Sequence, residues 1–354
     1  MTRRAEGKLE IFKFFDVAAS KGASDLLFTA GTAPCVRLNG AIAQFDLPTL
    51  TADDTQRLLY SVLSQEQIAR FEADWELDFS VQYKDRGRFR GNAYRQKGAV
   101  GFVFRLIPTE IPTLESLNVP GTLAEIAMQT QGLLLFTGPT GHGKSTTQAA
   151  IINLINQNRR CHIVTVEDPI EYLHVSKSSI IDQREVGDDT RSFAAALKHV
   201  LRQDPDVIQI GELRDLESMA VALTAAETGH LVLATLHTNS AIQAVDRIID
   251  IFPPHQQNQI RTQLSFCLLA IVSQRLLPRA DGSGRIPAVE ILRNLPSVAN
   301  LIREGKTQQI ATVIETHSKI GMQSLDSSLK EMYRKGIITR DIAAKYISSV
   351  KALD

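Results

Sequence analysis

The stretch that most limits what this chain can fold into is an octapeptide, Gly138-Pro139-Thr140-Gly141-His142-Gly143-Lys144-Ser145. It matches G-x-x-x-x-G-K-[ST], the pattern of a P-loop. The apolar run Leu133–Phe136 precedes it, and a segment of helical character, 146–157, follows it. A P-loop needs a strand before it and a helix after it, and both flanks have the expected pattern. The alternative, a glycine-rich turn between a strand and a helix, does not call for a lysine at position 144.

The chemistry expected of this loop is phosphate binding. Glycines let backbone N–H groups turn toward a phosphate, and the start of the following helix adds partial positive charge. Lys144 is predicted to bring its charge to the β- and γ-phosphates, and the Ser145 hydroxyl is predicted to ligate Mg²⁺. The predicted nucleotide-binding residues of the loop are Gly138, Pro139, Thr140, Gly141, His142, Gly143, Lys144, Ser145 and Thr146.

The whole-chain composition excludes some classes of protein and favours others. The 354 residues suggest about two or three domains. Lys plus Arg and Asp plus Glu both number 39, which argues against a nucleic-acid scaffold. No apolar run is long enough for a membrane span, and the first ten residues are too polar for a signal peptide, so a cytoplasmic location is expected unless a partner holds the chain at a membrane. Cys35, Cys161 and Cys267 lie far apart and are predicted to be reduced structural thiols.

Residues 1–107 are predicted to form a small α+β domain with an antiparallel sheet. Helical spacing covers 8–20, and Thr51 can cap a helix that runs to about Glu72. Asn39-Gly40 is a hairpin turn signal. Strand patterns occupy 24–31, 35–40, 77–83, 87–96 and 99–108.

The proline-rich segment 108–121 is the predicted linker, and 122–354 is the predicted second domain. Strands and helices alternate in the first part of this domain, which indicates a mostly parallel sheet with ligands at the carboxyl ends of its strands. From about residue 255 onward the pattern is read as helical, including 256–277. The buried strands are predicted at 162–172, 206–212 and 229–238, and the helices between them at 190–202 and 215–227.

Carboxylates follow two of these strands. Glu167 and Asp168 end the first and could orient Mg²⁺ or a water molecule, although Asp-Pro is also a common turn. Glu212 follows the second strand after Gly211, in the Walker B place but without the usual Asp. A carboxylate there can polarise the attacking water. The alternative is an exposed glutamate at a strand terminus. Ser145, Glu167, Asp168 and Glu212 form the predicted metal set.

Two histidines flank the third strand. His230 precedes it and His237 follows it, and their separation along a strand points them to opposite faces, so they are a poor pair for one metal ion. His237, at the carboxyl end, is predicted to sense the γ-phosphate. His230 is predicted to be structural or to lie at an interface.

At this point four segments together resemble a known group of enzymes. GPTGHGKSTT, VEDPIEY, RQDPDVIQIGELRD and ETGHLVLATLHTNSA are similar to the Walker A, Asp, atypical Walker B and His boxes of the secretion-superfamily ATPases. Within that group the chain resembles the type IV pilus retraction (twitching motility) ATPases, the PilT family. GASDL, FPPHQQNQIRTQLS and SVANLIREGKTQQI match as well, so the resemblance spans nearly the whole chain.

This resemblance implies an α/β architecture, with a PAS-like N-terminal α+β domain followed by a RecA-like P-loop NTPase domain that ends in helices. ATP then binds between the two domains of each subunit in a homohexamer. Arg95 and Arg105 match arginines that reach the γ-phosphate, although composition alone would leave them as solvated strand residues. Arg202 and Arg275 match further arginines that touch nucleotide. The catalytic set is Glu212, Lys144, Glu167, Arg95, Arg105 and His237.

The function implied is a cytoplasmic ATPase with Mg²⁺ that powers pilus disassembly, peripherally associated with the inner membrane through the pilus machine. Its implied partners are the inner-membrane platform protein and a second retraction ATPase, with no nucleic acid. An accessory ATP-binding paralogue that tunes the main motor is one alternative, because Ala299 and Leu27 depart from the family pattern. A pilus assembly or type II secretion ATPase is another, although the four-cysteine zinc motif of that group is missing. A DNA-translocating motor is disfavoured by the charge balance. His142 also departs, since a small residue is usual there.

Overall fold

The computed structural model describes residues 10–38, 41–83, 87–107 and 110–353. The chain divides into two compact units between Glu110 and Ile111. This division falls inside the predicted linker. The exact limits of the linker and of the two domains stay predictions. The hairpin signal Asn39-Gly40 and the first two linker residues lie outside the described residues.

In the part of the first unit that the structure describes, a six-stranded antiparallel sheet packs with three helices. The strand order is β3-β2-β1-β6-β5-β4. The helix predicted within 8–20 forms as α1, and it buries Ile11, Phe14, Phe15 and Ala18. The elements are α1 Ile11–Lys21, β1 Asp25–Thr29, β2 Cys35–Leu38, β3 Ala41–Gln44, α2 Ala52–Tyr60, α3 Gln65–Asp74, β4 Glu76–Gln82, β5 Arg88–Gln96 and β6 Ala99–Ile107.

The single helix predicted from Thr51 to about Glu72 is wrong, because the segment forms two helices. Thr51 does cap the first one, and its hydroxyl accepts a hydrogen bond from the Asp54 N–H at 3.1 Å. Ser64 then caps a second helix in the same way, accepting from the Gln67 N–H at 3.2 Å. In each case the third helical residue bonds back to the cap, so two capping boxes start two separate helices.

The second unit is built on a seven-stranded sheet in the order β13-β12-β7-β11-β10-β8-β9. All its strands are parallel except β13, which pairs antiparallel with β12, so the predicted mostly parallel sheet is confirmed. Its elements are α4 Thr122–Ala127, β7 Gly132–Thr137, α5 Lys144–Asn158, β8 His162–Glu167, β9 Ile180–Glu185, α6 Phe193–Val200, β10 Val207–Ile210, α7 Leu216–Glu227, β11 Leu231–Thr235, α8 Ala241–Asp250, α9 Pro254–Cys267, β12 Leu268–Pro278, β13 Arg285–Arg293, α10 Pro296–Arg303, α11 Ile310–Thr316, α12 Leu325–Arg334 and α13 Arg340–Ala344.

Two apolar cores lie on the two faces of this sheet. On one face, Leu133 and Leu135 of β7 belong to the cluster that contains Met219 of α7 and Ile248 of α8. On the other face, Leu134 of β7 belongs to the cluster that contains α5 and α4. Because β7 is buried on both faces, its sequence is a continuous apolar run, and the P-loop follows an interior strand of the sheet.

The helical reading of 256–277 is wrong for its second half. Helix α9 ends at Cys267, and β12 begins at Leu268 and lies beside β7. A strand buried on both faces has the same uninterrupted apolar pattern as a buried helix, and periodicity does not distinguish them. The strand predicted over 162–172 also ends earlier, at Glu167. Neither β9 nor β13 was predicted, and β13 lies in the region after residue 255 that was expected to be helical. Within the described ranges, no helix is long and apolar enough to cross a bilayer.

Candidate active site

The predicted P-loop connects β7 to α5, the strand and helix that the pattern required. Three of its glycines have positive φ, with 134° at Gly138, 76° at Gly141 and 80° at Gly143. Gly138 is also confined by its surroundings, because a Cβ there would lie 2.3 Å from the carbonyl oxygen of Gln274 on β12. A side chain at Gly138 would therefore both strain the backbone and collide with a strand.

Lys144 is the first residue of α5, and its side chain turns back into the loop. Its Nζ donates hydrogen bonds to the carbonyl oxygens of Gly138 at 2.7 Å and Pro139 at 2.9 Å. Burial lowers the pKa of Lys144, and the charges of Glu212 and Glu171 act in the opposite direction. The lysine is thus buried against the loop and lies within the field of two carboxylates.

Glu212 lies just beyond the carboxyl end of β10, and both of its carboxylate oxygens have cationic or polar partners. Oε1 lies 2.9 Å from Nε2 of His237, and Oε2 lies 2.6 Å from a guanidinium nitrogen of Arg214. Burial raises the pKa of Glu212, but the hydrogen bonds from Arg214 and His237 outweigh it and bring the pKa below its ordinary value. Glu212 is therefore ionised at neutral pH.

His237 links this carboxylate to the P-loop. Its Nε2 contacts Glu212, and its Nδ1 lies 3.5 Å from the hydroxyl oxygen of Thr140. It follows β11, while Glu212 follows β10 and Thr140 follows β7. Because these strands are parallel neighbours in the sheet, their carboxyl ends meet at one edge. The Walker A, Walker B and His boxes are brought together there.

Glu167 is enclosed at the end of β8. Its Oε1 accepts hydrogen bonds from the Thr165 hydroxyl at 2.6 Å and from the Gln183 amide at 3.1 Å. Burial raises the pKa of Glu167 despite these hydrogen bonds. Asp168 is exposed, and its charge contributes, after that of Glu212, to raising the pKa of Arg214.

The predicted metal set does not form one cluster. Across the residues that the structure describes, no three His, Cys, Asp or Glu side chains are grouped as ligands of a metal ion. Mg²⁺ keeps several water molecules and takes one or two protein oxygens together with phosphate oxygens. Ser145, in the first turn of α5, and the ionised Glu212 fit that requirement without the other two carboxylates.

Residues 118–319, more than half of the chain, match the family described as "Type II/IV secretion system protein". The chain belongs to this family.

The relatives of this type II/IV secretion system protein include pilus ATPases. It is 43% identical over 335 residues to the "Type IV pilus retractation ATPase PilT" of Pseudomonas aeruginosa, which covers 95% of this chain and 97% of the relative. It is also 43% identical over 345 residues to the "Type IV pilus ATPase PilU" of the same organism, with 98% of this chain and 90% of the relative covered. A solved structure of "the Pilus Retraction Motor PilT and Bound ADP" is 47% identical, with a TM-score of 0.91 over 97% of this chain and 98% of that one. The family and the fold class predicted from the sequence are confirmed.

The four arginines that were predicted to contact nucleotide in this secretion system protein have different surroundings. Arg275 lies 3.3 Å from the side-chain oxygen of Asn239, and its guanidinium lies over the ring of Tyr346. Arg202 precedes β10, so it lies at the amino edge of the sheet, opposite the P-loop within one chain. Arg95 and Arg105 belong to the first unit and are ion-paired there, with Glu72 at 2.6 Å and Asp25 at 2.9 Å. The predicted contacts of all four with nucleotide stay predictions.

Three side chains of the site were missed by sequence reasoning. Gln274 on β12 is almost fully buried and hydrogen-bonds to the P-loop and to α5. The Tyr172 hydroxyl lies 3.1 Å from that of Thr146. Arg214 pairs with Glu212, and its position two residues after Glu212 was the one signal that could have indicated it. A lone glutamine or tyrosine has no comparable signal.

Proposed function

We propose that this chain is an ATPase that hydrolyses ATP to drive retraction of type IV pili. The observation that carries the proposal is the ionised carboxylate of Glu212, joined through His237 to the P-loop and acting on the buried Lys144. A phosphate-binding loop and a base for water then share one edge of one sheet. One relative is named as a pilus retraction ATPase and another as a pilus retraction motor, and both names support the assignment to pilus retraction.

The residues divide the chemistry between binding and water activation. The loop N–H groups and the start of α5 would hold the phosphates, and Lys144 would exchange the carbonyl oxygens of Gly138 and Pro139 for phosphate oxygens. Glu212 would accept the proton of the attacking water, because it is a carboxylate at neutral pH. His237 would orient Glu212 and report the state of the phosphate site to it.

Mg²⁺ is part of this proposal, with Ser145 and Glu212 as the residues that would hold it, directly or through water. When bound, the ion neutralises the charge that develops on the phosphate oxygens. Glu167 is the less suitable ligand of the predicted set, because it is buried, its pKa is raised and Thr165 and Gln183 already occupy one of its oxygens.

The motor would be a homohexamer that works peripherally at the inner membrane, on the platform protein of the pilus machine. Arg95 and Arg105 would bring positive charge to the γ-phosphate as the site closes, and each would have to exchange its present carboxylate partner for it. Arg202 and Arg275 would complete the contacts with nucleotide. ADP is the ligand named for the solved relative, which supports the choice of nucleotide.

A second candidate is an accessory ATP-binding paralogue that tunes the main retraction motor. The chain is 43% identical both to a relative named for retraction and to one named only as a pilus ATPase, so identity does not separate them. Complementation of a strain that lacks its retraction ATPase distinguishes the two, with twitching as the readout. Restored twitching supports the motor, whereas failure with normal ATPase activity of the purified hexamer supports the accessory role.

Replacing Arg214 with alanine should make hydrolysis more sensitive to acid. Arg214 hydrogen-bonds to Glu212 and helps to lower its pKa, so its removal should raise that pKa. Activity needs the carboxylate, and kcat should therefore begin to fall at a higher pH than in the wild type. Since Arg214 is mostly exposed, the difference should shrink at high salt. Measurement of kcat against pH at two ionic strengths tests this, with Arg214→Lys as the control that keeps the charge. Identical pH profiles for all three proteins would contradict the assigned interaction.

A further inference from the structure

Strand β12 continues beyond the end of its neighbour β7. The two strands pair as far as Ser273 and Thr137, where β7 ends and the P-loop begins, whereas β12 continues to Pro278. Among the described residues, no strand pairs with β12 on that side beyond Ser273. The P-loop lies along this part of β12, as the 2.3 Å approach of a Cβ on Gly138 to the Gln274 carbonyl shows.

Three hydrogen bonds fasten the loop and the start of α5 to β12. The backbone N–H of Leu276 donates to Nδ1 of His142 at 2.9 Å. The Gln274 side chain donates through its nitrogen to the carbonyl oxygen of His142 at 2.9 Å. Its amide oxygen accepts from the hydroxyl of Thr147 on α5, also at 2.9 Å. Gln274 is 2% exposed, so this is a buried amide. Its nitrogen hydrogen-bonds to the P-loop and its oxygen hydrogen-bonds to α5.

We propose that His142 and Gln274 are positioning residues that hold the P-loop in its phosphate-binding form, and that the hold is released when His142 is protonated. The proposal rests on the function proposed above, since it assumes that the loop binds ATP. It gives a role to the loop residue that departs from the small residue usual at that place.

The proton dependence follows from which atom donates. A backbone N–H can only donate, so Nδ1 of His142 must present a lone pair and the ring proton must be on Nε2. A protonated ring carries hydrogen on both nitrogens, and Nδ1 would then face the Leu276 N–H as a second donor. The attachment therefore requires the neutral imidazole.

Burial and the charged groups around His142 favour its neutral form. These groups are Arg275 on β12, Arg285 on β13 and Lys144 on α5, and all three are cations. Burial in the first place, and these charges in addition, lower the pKa of His142 below its ordinary value. The attachment is thus intact at neutral pH and is lost as the pH falls through this lowered pKa.

The test is the affinity for ADP with Mg²⁺, measured by calorimetry between neutral and mildly acidic pH. His142→Ala should weaken binding about 2- to 10-fold at neutral pH, the loss typical of one hydrogen bond. His142→Asn should recover most of that loss, because its Oδ1 is as many bonds from the backbone as Nδ1 and does not titrate. The wild type should lose affinity on acidification, and His142→Asn should lose much less.

Gln274→Met provides a second route to the same conclusion, since it keeps the volume of the side chain and removes both of its hydrogen bonds. It should weaken ADP binding at every pH and leave the acid dependence of His142 in place. His230→Asn is the matched histidine control, because His230 precedes β11 at the opposite edge of the sheet. It should show the wild-type acid dependence.

The outcomes separate this proposal from the one on which it rests. If the wild type does not bind ADP at neutral pH, the proposed nucleotide site is wrong. If it binds ADP but the wild type and His142→Asn lose affinity equally on acidification, protonation of His142 does not release the P-loop from β12. Unchanged affinity in both His142→Ala and Gln274→Met would remove the positioning role altogether.

Discussion

Replacing Glu212 with glutamine should reduce the kcat of ATP hydrolysis by about 10²- to 10⁴-fold, the usual loss for a general base. Glutamine keeps the shape of the side chain but cannot accept the proton of water. Affinity for ADP in the absence of Mg²⁺ should change much less, because the phosphate-binding groups lie on the P-loop and α5. Steady-state hydrolysis and ADP calorimetry on the purified protein measure the two quantities separately.

The matched control for this variant is Glu171→Gln. Glu171 is the other carboxylate whose charge acts on Lys144, but Lys144 interacts more strongly with Glu212. If Glu212 acts by accepting a proton, the loss in Glu171→Gln should be far smaller. Equal losses would mean that only negative charge near Lys144 matters, and hydrolysis that survives Glu212→Gln would rule out Glu212 as the base.

Replacing Gly138 with alanine should remove nucleotide binding and destabilise the second unit. The new Cβ would lie 2.3 Å from the backbone oxygen of Gln274 and would sit at a φ of 134°. Backbone strain of this kind costs about 1–3 kcal/mol, and displacement of the strand or the loop adds to it. Urea unfolding should therefore show a loss of about 3 kcal/mol or more, which is in the range of severe substitutions.

Gly141→Ala separates the collision from the strain. Gly141 also has a positive φ, 76°, but a Cβ there would meet nothing within 4 Å. Only the left-handed backbone penalty of about 1–2 kcal/mol applies. If the two variants lose the same stability and the same affinity for ADP, the close approach of the loop to β12 contributes nothing to the free energy of unfolding or to ADP binding.

Much of the secondary structure of the second unit could be predicted from local sequence patterns. The P-loop, its two flanks, the strand that ends at Glu167 and the strand that precedes Glu212 are each encoded within short segments. Parallel strands place their carboxyl ends at one edge of a sheet, so the alternation of strands and helices also predicted that Glu212 and His237 lie at the same edge as the P-loop.

Local patterns gave the wrong secondary structure where the same residues were equally compatible with a second structure. The run after Cys267 is as apolar as a buried helix, and only its pairing with β7 makes it the strand β12. The segment after Thr51 has helical spacing throughout, yet the capping box at Ser64 divides it. In both places the period of the apolar residues was compatible with two structures.

The sequence by itself determined that this chain has a phosphate-binding loop, a mostly parallel sheet behind it and a carboxylate at the carboxyl end of another strand of that sheet. Only the tertiary structure decided that Arg214 and His237 share Glu212, and that Gln274 and His142 join the P-loop to β12. His142 is separated from Gln274 by 132 residues, and no short pattern couples them. The physical reason is that β12 can offer Leu276 N–H and Gln274 to His142 only after the sheet has formed, on the side of β12 where β7 has already ended.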